Sequence, residues 1–247
     1  MKAVILCGGK GTRLYPLTSD IPKAMVRLAG KPVLEHIISF LKENDLTNIV
    51  LCTGHLSQII ENYFGDGSSF GVNLVYSREE MPLSTGGALA LAKEKIADDF
   101  ILLNGDNICT INVQKLILFH KEKNALLTIG VGKTKGSYPA SCDLFAFNKE
   151  FAITNIIFRP HQYITDGENL PLGNLGIFCC SREILKDIPQ IFVSFEKLLP
   201  TFLSEGKRIY AYPTNEYASD IGTQESLRAV EEDLVMGRTH LFIEEKK

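Results

Sequence analysis

The strongest constraint on this chain lies at its start, where the apolar run Ala3-Val4-Ile5-Leu6-Cys7 passes directly into Gly8-Gly9-Lys10-Gly11-Thr12-Arg13-Leu14. An unbroken apolar run of this kind reads as a strand buried on both faces of a parallel sheet. Three glycines within four residues let backbone amides approach an anion without interference from Cβ atoms, so the loop is a candidate phosphate cradle. It is neither of two familiar ones. The dinucleotide fingerprint needs a third glycine where Leu14 stands, and a P-loop needs a G-K-[ST] ending that is absent. Two cations follow closely: Arg13 in the loop, and Lys23 just after Pro22, whose ring limits the freedom of the chain there. Taken alone, the loop is more simply a flexible turn with two solvated cations. The rest of the chain decides otherwise.

Strands and helices alternate from this point. Pro32 opens a helix with apolar residues Val33, Leu34, Ile37, Ile38 and Leu41 on one face, and Asn48 to Cys52 returns to strand. A helix from Leu56 to Phe64, a turn at Gly65-Asp66-Gly67, a strand Asn73 to Tyr76, a helix Gly87 to Lys95 and a strand Phe100 to Leu103 continue the pattern. A helix follows at Val113 to Lys123. Strands are then expected at Ala125 to Val131, Asp143 to Phe147, Ile153 to Phe158 and Leu175 to Cys180. Helices at Phe195 to Leu203 and Gln224 to Met236 flank a strand at Ile209 to Tyr212. Such alternation favours an open α/β sheet with helices on both faces, where ligands gather at the carboxyl ends of strands. Residues 1–247 form one domain in this reading, with 1–112 mainly binding nucleotide and 113–247 mainly binding sugar phosphate.

A formal charge of −3 offers no basic surface of the kind that holds nucleic acid or an anionic membrane. Any anionic ligand must be held locally. The six cysteines lie mostly inside apolar runs and form no C-x-x-C pair, which points to reduced, buried thiols. Neither a signal-peptide core nor a membrane-length apolar stretch is present, so the expected location is the cytoplasm.

Two aspartates stand where a hard cation could be held. Asp106 follows the strand Phe100 to Leu103 in Asn104-Gly105-Asp106, and Asp220 lies in Asp220-Ile221-Gly222 before the last helix. Magnesium is usually bound by one or two carboxylates together with phosphate oxygens, although an isolated aspartate is more often a turn residue or helix cap. Ser84-Thr85-Gly86-Gly87-Ala88 reads as the cap of a helix, with glycines for tight packing. Gly173-Asn174-Leu175-Gly176 reads as a turn entering a strand.

Together these segments resemble one family. The pattern Gly8-Gly9-x-Gly11-Thr12-Arg13-Leu14, Pro16-Leu17-Thr18 and Pro22-Lys23 is similar to the signature of the sugar-phosphate nucleotidylyltransferases, the nucleoside diphosphate-sugar pyrophosphorylases. The resemblance runs from the glycine loop to the helix after Asp220. It implies a three-layer α/β/α, Rossmann-like, mostly parallel sheet of the nucleotidyltransferase (GT-A-like) type, with a small strand-rich sugar-binding part. It also implies transfer of a nucleoside monophosphate from a nucleoside triphosphate to a sugar 1-phosphate, with magnesium (Mg2+) as cofactor. Arg13 and Lys23 then carry catalysis. Leu6, Gly8, Gly9, Gly11, Thr12, Arg13, Thr85, Gly86 and Asp106 would bind nucleotide. Lys23, Gly87, Arg159 and Asn174 would bind sugar phosphate, and Asp106 and Asp220 the metal. A monomer or a homodimer is compatible with all of this, with no nucleic acid or membrane partner.

One departure bears on the sugar. Where the family usually has Glu-Lys-Pro, this chain has Phe158-Arg159-Pro160; arginine is not a neutral replacement for lysine, and the glutamate that would bond sugar hydroxyls is missing. Tyr138-Pro139-Ala140 also replaces a more usual Tyr-Gly turn, with His161 as a neighbour of uncertain use. Leu6-Cys7-Gly8-Gly9 and Ser194-Phe195-Glu196-Lys197 look most like guanylyltransferases for mannose or heptose 1-phosphates, which favours GTP. Gly65-Asp66-Gly67-Ser68-x-Phe70-Gly71 is similar to a segment of uridylyltransferases, so a uridylyl- or thymidylyltransferase stays open. Two further alternatives are a non-catalytic regulatory paralogue and a dinucleotide-binding oxidoreductase, the latter weakened by Leu14.

Overall fold

The computed structural model describes residues 1–133, 142–159 and 171–241. The segments Tyr138-Pro139-Ala140, Pro160-His161 and Glu244 to Lys247 therefore lie outside the described residues. In chain order the elements are β1 (Lys2–Leu6), β2 (Arg27–Leu28), β3 (Lys31–Pro32), α1 (Val33–Glu43), β4 (Asn48–Thr53), α2 (Ser57–Phe64), β5 (Asn73–Arg78), α3 (Ser84–Leu91), β6 (Phe100–Asn104) and β7 (Asn107–Cys109). There follow α4 (Val113–Glu122), β8 (Leu127–Gly132), β9 (Leu144–Phe147), β10 (Ile153–Ile157), β11 (Leu172–Cys180), α5 (Leu199–Ser204), β12 (Ile209–Pro213), β13 (Ala218–Asp220) and α6 (Gln224–Val235).

Nine strands form one sheet with the path β10-β9-β11-β6-β1-β4-β5, and β8 and β12 extend it beside β11. The β5-β4-β1-β6 part is parallel throughout, as the unbroken apolar runs require; around β11 the pairing turns antiparallel, and β12 returns parallel to β8. Side chains alternate between two cores. Ala3, Ile5, Leu51 and Leu103 face α1, α2, α4 and α6, whereas Val4, Val50, Cys52 and Leu102 face α3 and α5. The result is the expected α/β/α layering. Along the strand order β1 leads on to β4 in one direction and β6 to β8 in the other, so the chain diverges at the carboxyl ends of these two neighbouring strands, where a crevice opens.

Two expectations need correction. Ser84-Thr85 does not cap α3: the residue before the helix is Leu83, no side chain caps it, and Ser84 sits at φ 60°, inside the helix. The single helix expected at Phe195 to Leu203 is a 3-10 turn, Glu196–Leu198, followed by the short α5, because Pro200 lacks the N–H that a continuous helix would use and fits only the first turn of a new one. The small antiparallel ribbon of β7 with β13 was not foreseen; at three residues each, its strands are too short to show a period.

All six cysteines are buried, and Cys7, Cys52, Cys109, Cys179 and Cys180 are free thiols. Burial pushes the Cys52, Cys109 and Cys179 thiols up to about 12, and Cys7 and Cys180 upward as well. With thiolate fractions at pH 8 of about one part in ten thousand for a pKa near 12, the native protein is expected to react very slowly with a thiol reagent. In guanidinium all six should react at once; rapid labelling of the native chain would contradict this packing.

Candidate active site

At the carboxyl ends of β1, β4, β5 and β6 a cleft of about 1230 Å³ opens. Its floor begins where β1 stops. Cys7 N–H still donates to Cys52 O at 2.9 Å, but among the described residues none of the backbone N–H groups from Gly8 to Thr12 donates to the protein. Five successive amides are thus left for a ligand, in a loop where Gly9 meets nothing within 4 Å. This is an anion cradle in the physical sense.

The loop is shaped by contacts that only glycine allows. Gly11 has φ 67°, and a Cβ on it would lie 2.9 Å from Lys23 Cβ and 3.1 Å from Thr18 Cγ2. The Thr18 hydroxyl donates to Gly11 O at 2.9 Å, closing the turn. Lys23, opening the 3-10 turn Lys23–Met25 after Pro22, is thereby pressed against the loop, and its ammonium is hydrogen-bonded to Asp106 Oδ2.

Asp106 and Asp220 come together as the sequence suggested, through backbone rather than side-chain contact. Gly105 N donates to Leu6 O at 2.9 Å, which ties the Asp106 turn to the end of β1. Ile221 N donates to Asp106 O at 2.9 Å, and Asp220 stands opposite Asn107 in the β7-β13 ribbon. A methyl group on Gly222 would lie 2.7 Å from Asp220 Oδ1, 3.0 Å from Arg13 Nη2 and 3.4 Å from Lys23 Nζ. One glycine therefore marks the point where both cations and the second aspartate meet. Among the described residues no cluster of three or more His, Cys, Asp or Glu could hold a metal by itself. Two carboxylate groups completed by phosphate oxygens is the donor set a magnesium ion accepts.

The sequence-chosen residues divide into three groups. Leu6, Gly8, Gly9, Lys23, Thr85, Asp106 and Arg159 line the cleft. Gly11, Thr12, Arg13 and Asp220 stand beside it, in the loop, its 3-10 turn Thr12–Leu14, and the ribbon. Gly86, Gly87 and Asn174 are not brought to its wall. The amides of Gly86 and Gly87 donate to Val193 O at 2.9 and 3.2 Å, and a Cβ on Gly87 would collide with Ile191 O, so these glycines let the 191–195 segment pass close by. Asn174 Oδ1 accepts from Gly176 N at 2.8 Å and shapes a bulge in β11 where Gly176 takes φ 70°.

Other lining residues were not among the sequence-chosen site residues. Glu79 follows β5 and reaches back over the loop: a Cβ on Gly8 would lie 2.8 Å from its Oε1, and one on Gly54 2.5 Å. Its Oε2 accepts from Leu83 N at 2.9 Å, while burial holds its carboxyl above the usual carboxylate range. The available signal was its place just past a parallel strand. Asp143 accepts from Arg159 N at 3.1 Å and lies 3.5 Å from Arg159 Nε. Lys197 places its ammonium 4.1 Å from the centre of the Phe158 ring. Asn104 Oδ1, on the cleft floor, is buried without a hydrogen-bond partner among the described residues.

Gly11→Ala combines a disfavoured φ with a contact against Lys23, and should cost on the order of 1–3 kcal/mol of stability while displacing the Lys23 ammonium. A melting curve and nucleotide affinity measured on the same sample check both. An unchanged affinity would show that Lys23 is not positioned by this glycine.

Comparison with known proteins places these features in context. Over 239 residues the chain is 33% identical to a mannose-1-phosphate guanylyltransferase of Mycobacterium tuberculosis, covering 95% of this chain and 65% of that one. A mannose-1-phosphate guanylyltransferase catalytic subunit beta of Drosophila melanogaster is 31% identical over 225 residues, covering 90% of this chain and 59% of its own length. The chain thus spans somewhat under two thirds of these curated relatives. The crystal structure of HddC from Yersinia pseudotuberculosis superposes with a TM-score of 0.80 at 28% identity, covering 94% of this chain and 99% of that one; a second structure of HddC, complexed with GMP-PN, gives 0.79. A family pattern described as nucleotidyl transferase matches residues 2–236, from the first strand to just past α6, and the chain belongs to that family.

Proposed function

We propose that this chain transfers a nucleoside monophosphate from a nucleoside triphosphate, GTP by preference, to a sugar 1-phosphate of the mannose or heptose type, releasing pyrophosphate. The observation that carries the reading is the row of unengaged amides from Gly8 to Thr12 beside Arg13, Lys23 and two convergent aspartates. Membership in the nucleotidyl transferase family and likeness to mannose-1-phosphate guanylyltransferases support it.

An oxygen of the sugar 1-phosphate attacks the α-phosphorus in line, one O–P bond forms, and the bond to the departing pyrophosphate breaks. The amides of the loop and the Arg13 guanidinium hold the triphosphate against the end of β1. Lys23 stands between the loop and Asp106, where it can follow the charge that grows on the α-phosphoryl oxygens. Arg159 offers a planar fork to the incoming phosphate from the opposite wall. The nucleophile is already ionised at neutral pH, so the cleft needs no general base. Asp106 and Asp220 would hold a magnesium ion, which supplies charge neutralisation to the phosphates when bound.

The preference for guanine is supported by Glu79. A carboxylate accepts hydrogen bonds and donates none, and guanine presents two adjacent N–H donors on one edge, whereas uracil and thymine present a single donor between acceptors. The notional division into a nucleotide part, 1–112, and a sugar-phosphate part, 113–247, is consistent with a cleft whose loop wall comes from the first and whose Arg159 wall comes from the second. The buried free thiols of Cys7, Cys52, Cys109, Cys179 and Cys180 favour a reducing compartment, the cytoplasm; among the described residues no helix is long and apolar enough to cross a membrane.

A pyrophosphate-release screen that crosses four nucleoside triphosphates with a panel of sugar 1-phosphates, with and without magnesium, tests the reading. Turnover is expected with GTP and a mannose- or heptose-type acceptor, and to be lost on chelation. Release with uridine or thymidine nucleotides alone would replace the base assignment; no release with any pair would favour a regulatory binding protein. Lys23→Ala and Asp106→Ala should each lower kcat by about 10²-fold or more, on the scale of losing one transition-state contact, with the far-ultraviolet spectrum unchanged.

Glu79→Gln separates two effects. Because the folded carboxyl titrates above its unfolded value, its ionised form opposes folding at neutral pH, and that penalty fades as pH falls through the folded pKa. The glutamine variant should therefore melt no lower than the parent at pH 7, yet lose about tenfold in selectivity for GTP over UTP, which is about 1.4 kcal/mol. Retained selectivity would remove Glu79 from base recognition.

A further inference from the structure

The wall opposite the glycine loop carries a cation that no carboxylate neutralises among the described residues. Lys23 touches Asp106, and Arg159 is shared with Asp143. Lys197 instead rests over the Phe158 ring, 4.1 Å from its centre. An aromatic face fixes the position of an ammonium without cancelling its charge, so its N–H donors remain available to an anion. Its sequence neighbour does not interfere: Glu196 Oε2 accepts from the Ser194 hydroxyl at 2.7 Å and from the Thr85 hydroxyl at 3.2 Å, which fixes that carboxylate in the seam with α3.

The turn that bears Lys197 is also anchored. Val193 N donates to Leu83 O at 3.1 Å, Phe195 N donates to Thr85 Oγ1 at 2.8 Å, and the buried Phe195 ring stacks edge-on against Phe178 at 5.6 Å. A lysine on a mobile loop would be a solvated charge; one held at both its backbone and its ammonium is placed. Arg159 alone presents little net charge to a dianion, since Asp143 offsets it. A second cation on the same wall completes the match.

We propose that Lys197 binds the phosphate of the sugar 1-phosphate acceptor together with Arg159, with Phe158 as its platform. This rests on the nucleotidyl-transfer reading and adds an acceptor-binding residue to it. The test uses the full chain. Lys197→Met should raise KM for mannose 1-phosphate about tenfold or more, with KM for GTP changed by less than about threefold, and Lys197→Arg should stay near the parent because charge is kept. Phe158→Leu should fall between, its loss confined to the acceptor. An unchanged acceptor KM in Lys197→Met, or an equal rise for both substrates, overturns the assignment while leaving the transfer reading intact.

If the parent releases no pyrophosphate with any pair, the transfer reading fails and calorimetric titration with mannose 1-phosphate decides the rest. Binding by the parent that Lys197→Met loses supports the site. Equal binding by both, or none by the parent, overturns it.

Discussion

The geometry of the cleft depends on a backbone seam of three residues. β13 pairs with β7 immediately after Asp106, and Ile221 N donates to Asp106 O at 2.9 Å. Because these are ladder hydrogen bonds between main-chain groups, the separation of the two aspartates does not depend on flexible side chains. Asn107 reinforces the seam from the other side: it is buried, its Nδ2 donates to Leu175 O at 2.6 Å, and Gly176 turns at φ 70° directly against its amide. A late segment of the chain is thus brought to the carboxyl end of β6, where Gly105 has already tied that strand to β1. Without the seam, Arg13 and Lys23 would face one carboxylate instead of two.

A second seam joins the two halves of the chain across the cleft. The segment 83–87 and the segment 191–196 exchange main-chain and hydroxyl hydrogen bonds, and Gly86 and Gly87 are small because the main chain of Val193 and Ile191 passes directly over them. The physical consequence is that the wall bearing Lys197 moves with α3 and not independently. The distance between the glycine loop and the Lys197 wall is then set by rigid elements, which under the proposed transfer would serve positioning.

Much of this was legible in the sequence, for a definite reason. Continuous apolar runs announced β1, β4 and β6, and their carboxyl ends announced where ligands gather; helical periodicity placed α1, α2 and α4 within a residue or two. Arg13, Lys23 and Asp106 were chosen through the family resemblance, because each by itself reads as a solvated cation or a turn residue. What the sequence hid was contact between distant segments. Gly86 and Gly87 resembled ligand-facing glycines because a glycine required by a passing ligand and one required by a passing main chain look the same in one dimension. Asn174 resembled a sugar ligand, yet its carboxamide oxygen is engaged in a β-bulge. Glu79 carried no motif and Lys197 was read only as part of Ser194-Phe195-Glu196-Lys197; their placement depends on contacts with Gly8, Gly54 and Phe158, which lie far from them in the chain.

Within a chain of formal charge −3, the described cleft lining balances five cationic side chains, Lys10, Lys23, Arg78, Arg159 and Lys197, against five acidic ones, Glu79, Glu80, Asp106, Asp143 and Glu196. Four of these acids have a partner that limits their repulsion: Asp106 has Lys23, Asp143 has Arg159, Glu196 has two hydroxyls, and Glu79 has Leu83 N–H together with a raised affinity for its proton. Two cations are held differently. Arg13 is exposed beside Gly222, and Lys197 lies on an aromatic ring, where position is fixed and charge is kept. Pairing acids with local donors while resting Lys197 on a neutral ring makes positive potential in this cleft a local property, supplied by individual side chains and by the unengaged amides of the glycine loop rather than by an excess of cations.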